Sequence, residues 1–203
     1  MAKSFELQLP LDIQLQLFDQ VVLPVLLYGC EVWGFEDISQ VESFHMKFCK
    51  KILKVHNYTA NCMAYGELGR HKLIKIIEVR MVTFWARIVN GSKYKLSYTL
   101  YNLLRTLHEK GIYSSGWIIK VKSILDYSGM SYVWNFPTNN NETLIDINWL
   151  KNSLNRRLSD MYEQVWLSEV FNNSHCKNYR IFKTKLELER YLVCLPKKDR
   201  VNV

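Results

Sequence analysis

Proline and glycine are scarce in this chain, four and eight in 203 residues. A turn-rich sheet protein draws heavily on both, so long helices are the expectation. Cysteine occurs five times, at 30, 49, 62, 176 and 194, an odd number with no CxxC spacing. That argues against a disulfide scaffold and a ribbon-type zinc site, and for reduced thiols in an intracellular protein. Nothing chooses between nucleus and cytoplasm. No apolar run approaches the roughly 20 residues of a spanning helix, so no membrane partner is expected. A secretory leader and a glycine-rich phosphate loop are missing as well.

What is present is a folding composition, 48% hydrophobic and 13% aromatic. The basic residues are clustered. Residues 1–40 carry a net charge of −5, residues 41–95 of +8, and residues 96–203 of +5, so the middle block alone matches the total of +8. Grouped Lys and Arg suit a polyanion, because each phosphate contact releases condensed counterions. A solvated basic face that only aids solubility is the competing reading of the same charge.

Apolar spacing predicts helices nearly throughout. Residues 11–29 present Ile13, Leu15, Leu17, Phe18, Val21 and Val22, with Pro24 as a kink or restart. In the next helix, capped by Asp37, Val41, Phe44, Phe48, Ile52 and Val55 form a stripe. Lys47, Lys50, Lys51 and Lys54 share one polar face of it, about a quarter of the circumference. Asn57 to Asn61 reads as a turn, and "GELGRHKL" at 66–73 breaks the chain. The following helix buries Leu73, Ile76, Ile77, Met81, Phe84, Trp85 and Ile88 and stops at Asn90-Gly91. Another buries Leu96, Leu100, Leu103, Leu104 and Leu107; a third runs over 115–126. "NFPTNNNET", 135–143, is the best linker. Asp146 then caps a long helix with Ile147, Leu150, Leu154, Leu158, Met161, Val165 and Trp166 inside, and a short helix spans Thr184 to Cys194. Sustained period-2 alternation occurs nowhere. The expectation is an all-α, irregular multi-helix bundle.

"LFDQVVLPVLLYGCEVWGFE", "VESFHMKFCKKILKV" and "YGELGRHKLIKIIEVRMVTFWARIV" resemble the region just downstream of the polymerase core in non-LTR (LINE-type) retrotransposon reverse transcriptases, jockey and RTE-like elements above all. "NYRIFKTKLELERYLVCLP", 178–196, resembles a later stretch of the same polyproteins, whereas 101–177 carries no signature and 1–7 matches nothing. The resemblance implies a thumb-like helical segment at 1–57, a central helical bundle at 58–134, the linker 135–143 and a C-terminal helical segment at 144–203. Within 23–36, Leu26, Leu27, Tyr28 and Trp33 would pack and Gly29 and Gly34 would allow the turns. The metal-holding aspartates of such a polymerase lie upstream in a Y/F-A-D-D motif that this sequence does not contain. The expected role is therefore non-catalytic: a fragment of an RNA-directed DNA polymerase, with no cofactor and no bound metal. Its partners would be RNA or an RNA–DNA duplex and, in the parent context, the rest of the polyprotein.

A thumb grips the sugar–phosphate backbone, so its candidate residues are cationic. They are Lys47, Lys50, Lys51 and Lys54, with Arg70, Lys72 and Lys75 at the start of the next helix, where His71 adds a further donor. His45 and Cys49 stand at i, i+4, a spacing that suits a metal, but both border the apolar stripe and burial is the favoured reading. His175, Cys176 and Cys194 are read the same way, and Glu187 and Glu189 as surface charges. The alternative function is a helical protein-interaction module that binds no nucleic acid.

Overall fold

The computed structural model describes residues 9–135 and 144–194. The fold is all-α, and among the described residues the sole β feature is an isolated antiparallel bridge between Leu68 and Leu188. Two compact units divide the chain, each assembled from separated stretches.

The first unit takes the described parts of Met1–Tyr28, Ser39–Leu73 and Tyr162–Val203. Its helix α1, Leu11–Leu17, opens after Pro10 and widens into a π-turn at Phe18–Val22 before α2, Leu23–Leu26. Pro24 gives the physical reason. It has no N–H to donate and its ring crowds the preceding turn, so the helix is loosened just ahead of it. Leu15 and Phe18 are buried as the spacing predicts, but Ile13, Leu17 and Val21 are exposed, and Leu11 and Gln14 turn inward instead. Leu27 is fully buried and Leu26 half-buried, whereas Tyr28 is 85% exposed, against its expected packing role.

Helix α4, Ser39–Leu53, buries His45, Met46, Phe48, Cys49, Lys50 and Ile52. The expected stripe is correct at Phe48 and Ile52, but Phe44 and Val55 are exposed, so the buried face is rotated toward His45 and Cys49. Polar His45 can be buried because both ring nitrogens find partners, Glu42 and Arg70. Phe18 stacks on Phe48 with ring centroids 3.9 Å apart.

Helix α5, Asn61–Glu67, lies where the sequence suggested a turn and a break. Gly66 sits inside its last turn because a Cβ there would overlap the Tyr179 hydroxyl and the Trp166 ring. Gly69 has φ +60°, and a Cβ would overlap the backbone of Glu187 and Leu188. Those contacts replace part of the expected helix over 184–194: Leu188 bridges Leu68, the Glu189 N–H donates to the Glu67 carbonyl at 3.0 Å, and helix begins again at Arg190–Cys194. Glu189 is no idle surface charge, since it pairs with buried Lys183.

The second unit takes Gly29–Ile38 and the described parts of Ile74–Met161. Helix α3, Cys30–Trp33, follows Gly29, whose φ of +66° permits the turn. Gly34 has an ordinary negative φ; its need is space, since a Cβ would overlap Ile77 and the Cys30 carbonyl. Trp33 is half-buried. In α6, Ile74–Val89, Ile77, Met81 and Trp85 are fully buried on the expected face, with Ile76, Phe84 and Ile88 at its margin.

Helix α7, Leu96–Glu109, departs most from expectation. Leu96, Leu100 and Leu103 are 82%, 51% and 55% exposed, and Tyr101 and Arg105 face inward. Arg105 lies over the Trp134 ring at 5.3 Å, Tyr101 meets that ring edge-on, and Trp134 stacks on Trp85 at 5.5 Å. An aromatic stack thus takes the place that the leucines were expected to fill. Helices α8, Gly116–Tyr127, and α9, Ser131–Trp134, follow. Apart from Asn135, the expected linker lies outside the described residues. Asp146 caps α10, Ile147–Asn172, as anticipated, its carboxylate accepting from the Asn148 and Trp149 N–H groups at 2.9 and 3.0 Å. Leu150, Leu154 and Leu158 are fully buried, while Val165 is exposed. No described helix is long and apolar enough to cross a membrane.

Candidate nucleic-acid interface

A groove of about 1090 Å³ opens in the first unit. Lys47, Lys50 and Lys51 reach it from α4 and Lys72 from the segment after α5; Met46, Val55 and Tyr65 give it apolar surface, and Glu42 and Glu169 contribute acid. Four of the seven candidate cations therefore meet in one concavity. They are not equally available.

Lys47 and Lys51 are exposed. Lys50 is only 9% exposed and its ammonium donates to the Asn57 carbonyl at 2.8 Å, so it does not belong to a solvated face. Its long stem follows the apolar wall while the charge is spent on closing the loop after α4. Lys54 stands outside the groove lining, at φ +57°, where the Val55 N–H reaches back to the Lys50 carbonyl at 3.1 Å. This is the left-handed position that ends many helices, usually filled by glycine.

The second basic cluster is drawn into the fold. Arg70 donates to both oxygens of Asp19 and to His45 Nε2 at 3.1 Å, and its guanidinium lies over Phe18 at 5.2 Å. Lys72 pairs with Glu169. Lys75, in the first turn of α6, is half-buried, and burial holds its ammonium below the usual lysine range. His71 is half-buried too.

Glu42, which the sequence did not single out, joins the groove to the core. Its carboxylate accepts from the Tyr65 hydroxyl, from the Leu73 N–H at 2.8 Å and faces His45 Nδ1 at 3.4 Å. Burial alone would raise its pKa; the bonds from His45, Tyr65 and Leu73 outweigh it and hold the carboxyl below its ordinary range. Burial, with the Glu42 carboxylate beside it, pushes the Tyr65 phenol well up. Glu42 was visible as a lone acid ahead of the lysines. Glu169 and Tyr65 carried no signal, since only folding brings them there.

For other chemistry the arrangement offers little. Cys49 is fully buried and burial pushes its thiol up to about 12, so it stays protonated at neutral pH. No group of three or more His, Cys, Asp or Glu among the described residues is placed to hold a metal ion. Comparison with protein-family models, with curated proteins and with solved structures finds no match. The likeness to LINE-type reverse transcriptases rests on the quoted stretches.

Proposed function

We propose that this chain is a non-catalytic portion of a LINE-type reverse transcriptase and that it holds template–primer or element RNA by the phosphate backbone in the lysine groove. The observation that carries the reading is the convergence of Lys47, Lys50, Lys51 and Lys72 on one concavity. Phosphates would meet exposed Lys47 and Lys51 first. Lys72 would then exchange Glu169 for a phosphate oxygen, while Lys50 keeps the loop shut. A further support is that two separate stretches of the resemblance pack together, "YGELG" against "KLELERYL", through the Leu68–Leu188 bridge and the Glu67–Glu189 bond. The test is binding of labelled RNA and of an RNA–DNA duplex across a salt series. A steep negative slope of log K against log salt is expected, roughly 0.7 to 0.9 per phosphate contact. A flat slope, or no binding at low salt, removes the proposal.

A second reading, a helical protein-interaction module, is favoured by the leucine face of α7. Contiguous exposed apolar surface of this kind marks contact sites. Sedimentation at rising concentration, with Leu100→Glu and Leu103→Glu as the disrupting changes, would reveal association through that face.

A further inference from the structure

Cys62 and Cys176 lie 114 positions apart in the chain, yet their sulfurs are 3.6 Å apart in the first unit. Cys62 is the second residue of α5 and Cys176 ends the 3-10 turn Ser174–Cys176; both are buried. Their backbones are held on either side. The Trp166 indole N–H donates to the Cys62 carbonyl at 2.7 Å, and the Cys176 N–H donates to the Asn173 carbonyl at 3.0 Å. From this separation the sulfurs need to close by about 1.5 Å to reach bonding distance, which a small side-chain rotation can supply.

We infer that Cys62 and Cys176 form an oxidisable pair, a disulfide site for a low-molecular-weight disulfide such as oxidised glutathione. The Cys62 thiolate attacks the disulfide and expels one glutathione thiolate; the Cys176 thiolate then displaces the second, forming the Cys62–Cys176 bond. Two protein thiols are oxidised and one small disulfide is reduced to two thiols. Burial pushes the Cys62 thiol up to about 11, with the Cys176 thiol beside it adding to the shift. The reaction is therefore slow in the closed fold and quickens as the segment around Cys176 opens. Exposed Cys194, the most accessible described thiol, is the competitor.

The test treats the full chain with oxidised glutathione at several sub-denaturing urea concentrations, blocks remaining thiols, and maps tryptic peptides without reduction. Residues 55–70 should appear joined to residues 158–177, with the mass of two hydrogens lost and with recovery on adding dithiothreitol. The rate should rise with urea below the unfolding transition. Cys194→Ser should leave the link intact, and Cys176→Ala should abolish it. A map in which Cys194 carries glutathione while 62 and 176 remain fully alkylatable, even at the edge of unfolding, overturns the inference. So does a link between any other pair.

Discussion

On α4, Lys47 and Lys51 stand exposed at the edge of a groove, whereas Arg70 and Lys72 meet Asp19 and Glu169 before they meet solvent. The two clusters are alike in sequence charge and differ in what the fold has already placed beside them. A basic count overstates the charge that a partner can use, because an ammonium bonded to a neighbouring carboxylate must first be released. The first cluster suits binding; the second is committed to stability.

The sharpest way to break that contrast is at Glu42, the acid that lines the groove and serves the core. Glu42→Ala leaves the Tyr65 hydroxyl and the Leu73 N–H without their acceptor and should cost about 3 kcal/mol or more in urea unfolding. A related test uses pH. The folded Glu42 carboxyl sits below its reference value of 4.5, so it adds stability above that value and loses it as pH falls through the folded pKa. Glu42→Gln should therefore flatten the acid side of the stability profile, read as urea midpoints between about pH 6 and pH 3.

Next in size is the paired change Lys47→Gln and Lys51→Gln. RNA or duplex affinity should fall on the order of tens-fold near 0.1 M salt, with the salt slope reduced by roughly 0.9 per contact on B-form DNA. Stability should stay within about 0.5 kcal/mol, since both side chains are exposed. An unchanged slope would put the groove's lysines back among solvated charges.

Arg70→Gln should show the opposite pattern. The fold should lose about 1–2 kcal/mol, because the His45 hydrogen bond and the stacking over Phe18 go with the guanidinium, while the salt slope holds. A slope that falls with it would merge the two clusters into one binding surface. The smallest effect is expected at Lys54, where Gly relieves a left-handed backbone and should stabilise by up to about 1 kcal/mol without altering binding.

Helices with one strongly preferred face were legible: α6 buries Ile77, Met81 and Trp85 where period 3.6 puts them, and Asp146 caps α10 as a short acid before an apolar run should. Periodicity fails where a polar residue finds a partner or an apolar one does not. His45 and Lys50 are buried because Glu42, Arg70 and Asn57 receive them, partners that lie 3, 25 and 7 residues away. The leucines of α7 were legible as a face and misread as core, since Tyr101 and Arg105 fit the Trp134 ring instead. Likewise "GELG" was readable as a break, but not as the place where residues 187–189 dock. The candidate site was half visible: the lysines of α4 were, and the acids and Tyr65 that shape the groove around them were not.

The way the first unit is assembled has a consequence for synthesis. Helices α1 and α4 are among the earliest parts of the chain to be made, yet their core includes Trp166, Val170, Cys176 and Leu192. The second unit has its described residues in hand once Met161 has been added. During translation, then, the later-starting unit can fold first, and the groove-bearing one must wait with Phe18 and Phe48 uncovered until the closing stretch emerges. Nascent chains halted before Tyr162 should therefore be bound by ribosome-associated chaperones at α1 and α4, and released once Leu192 has cleared the exit tunnel.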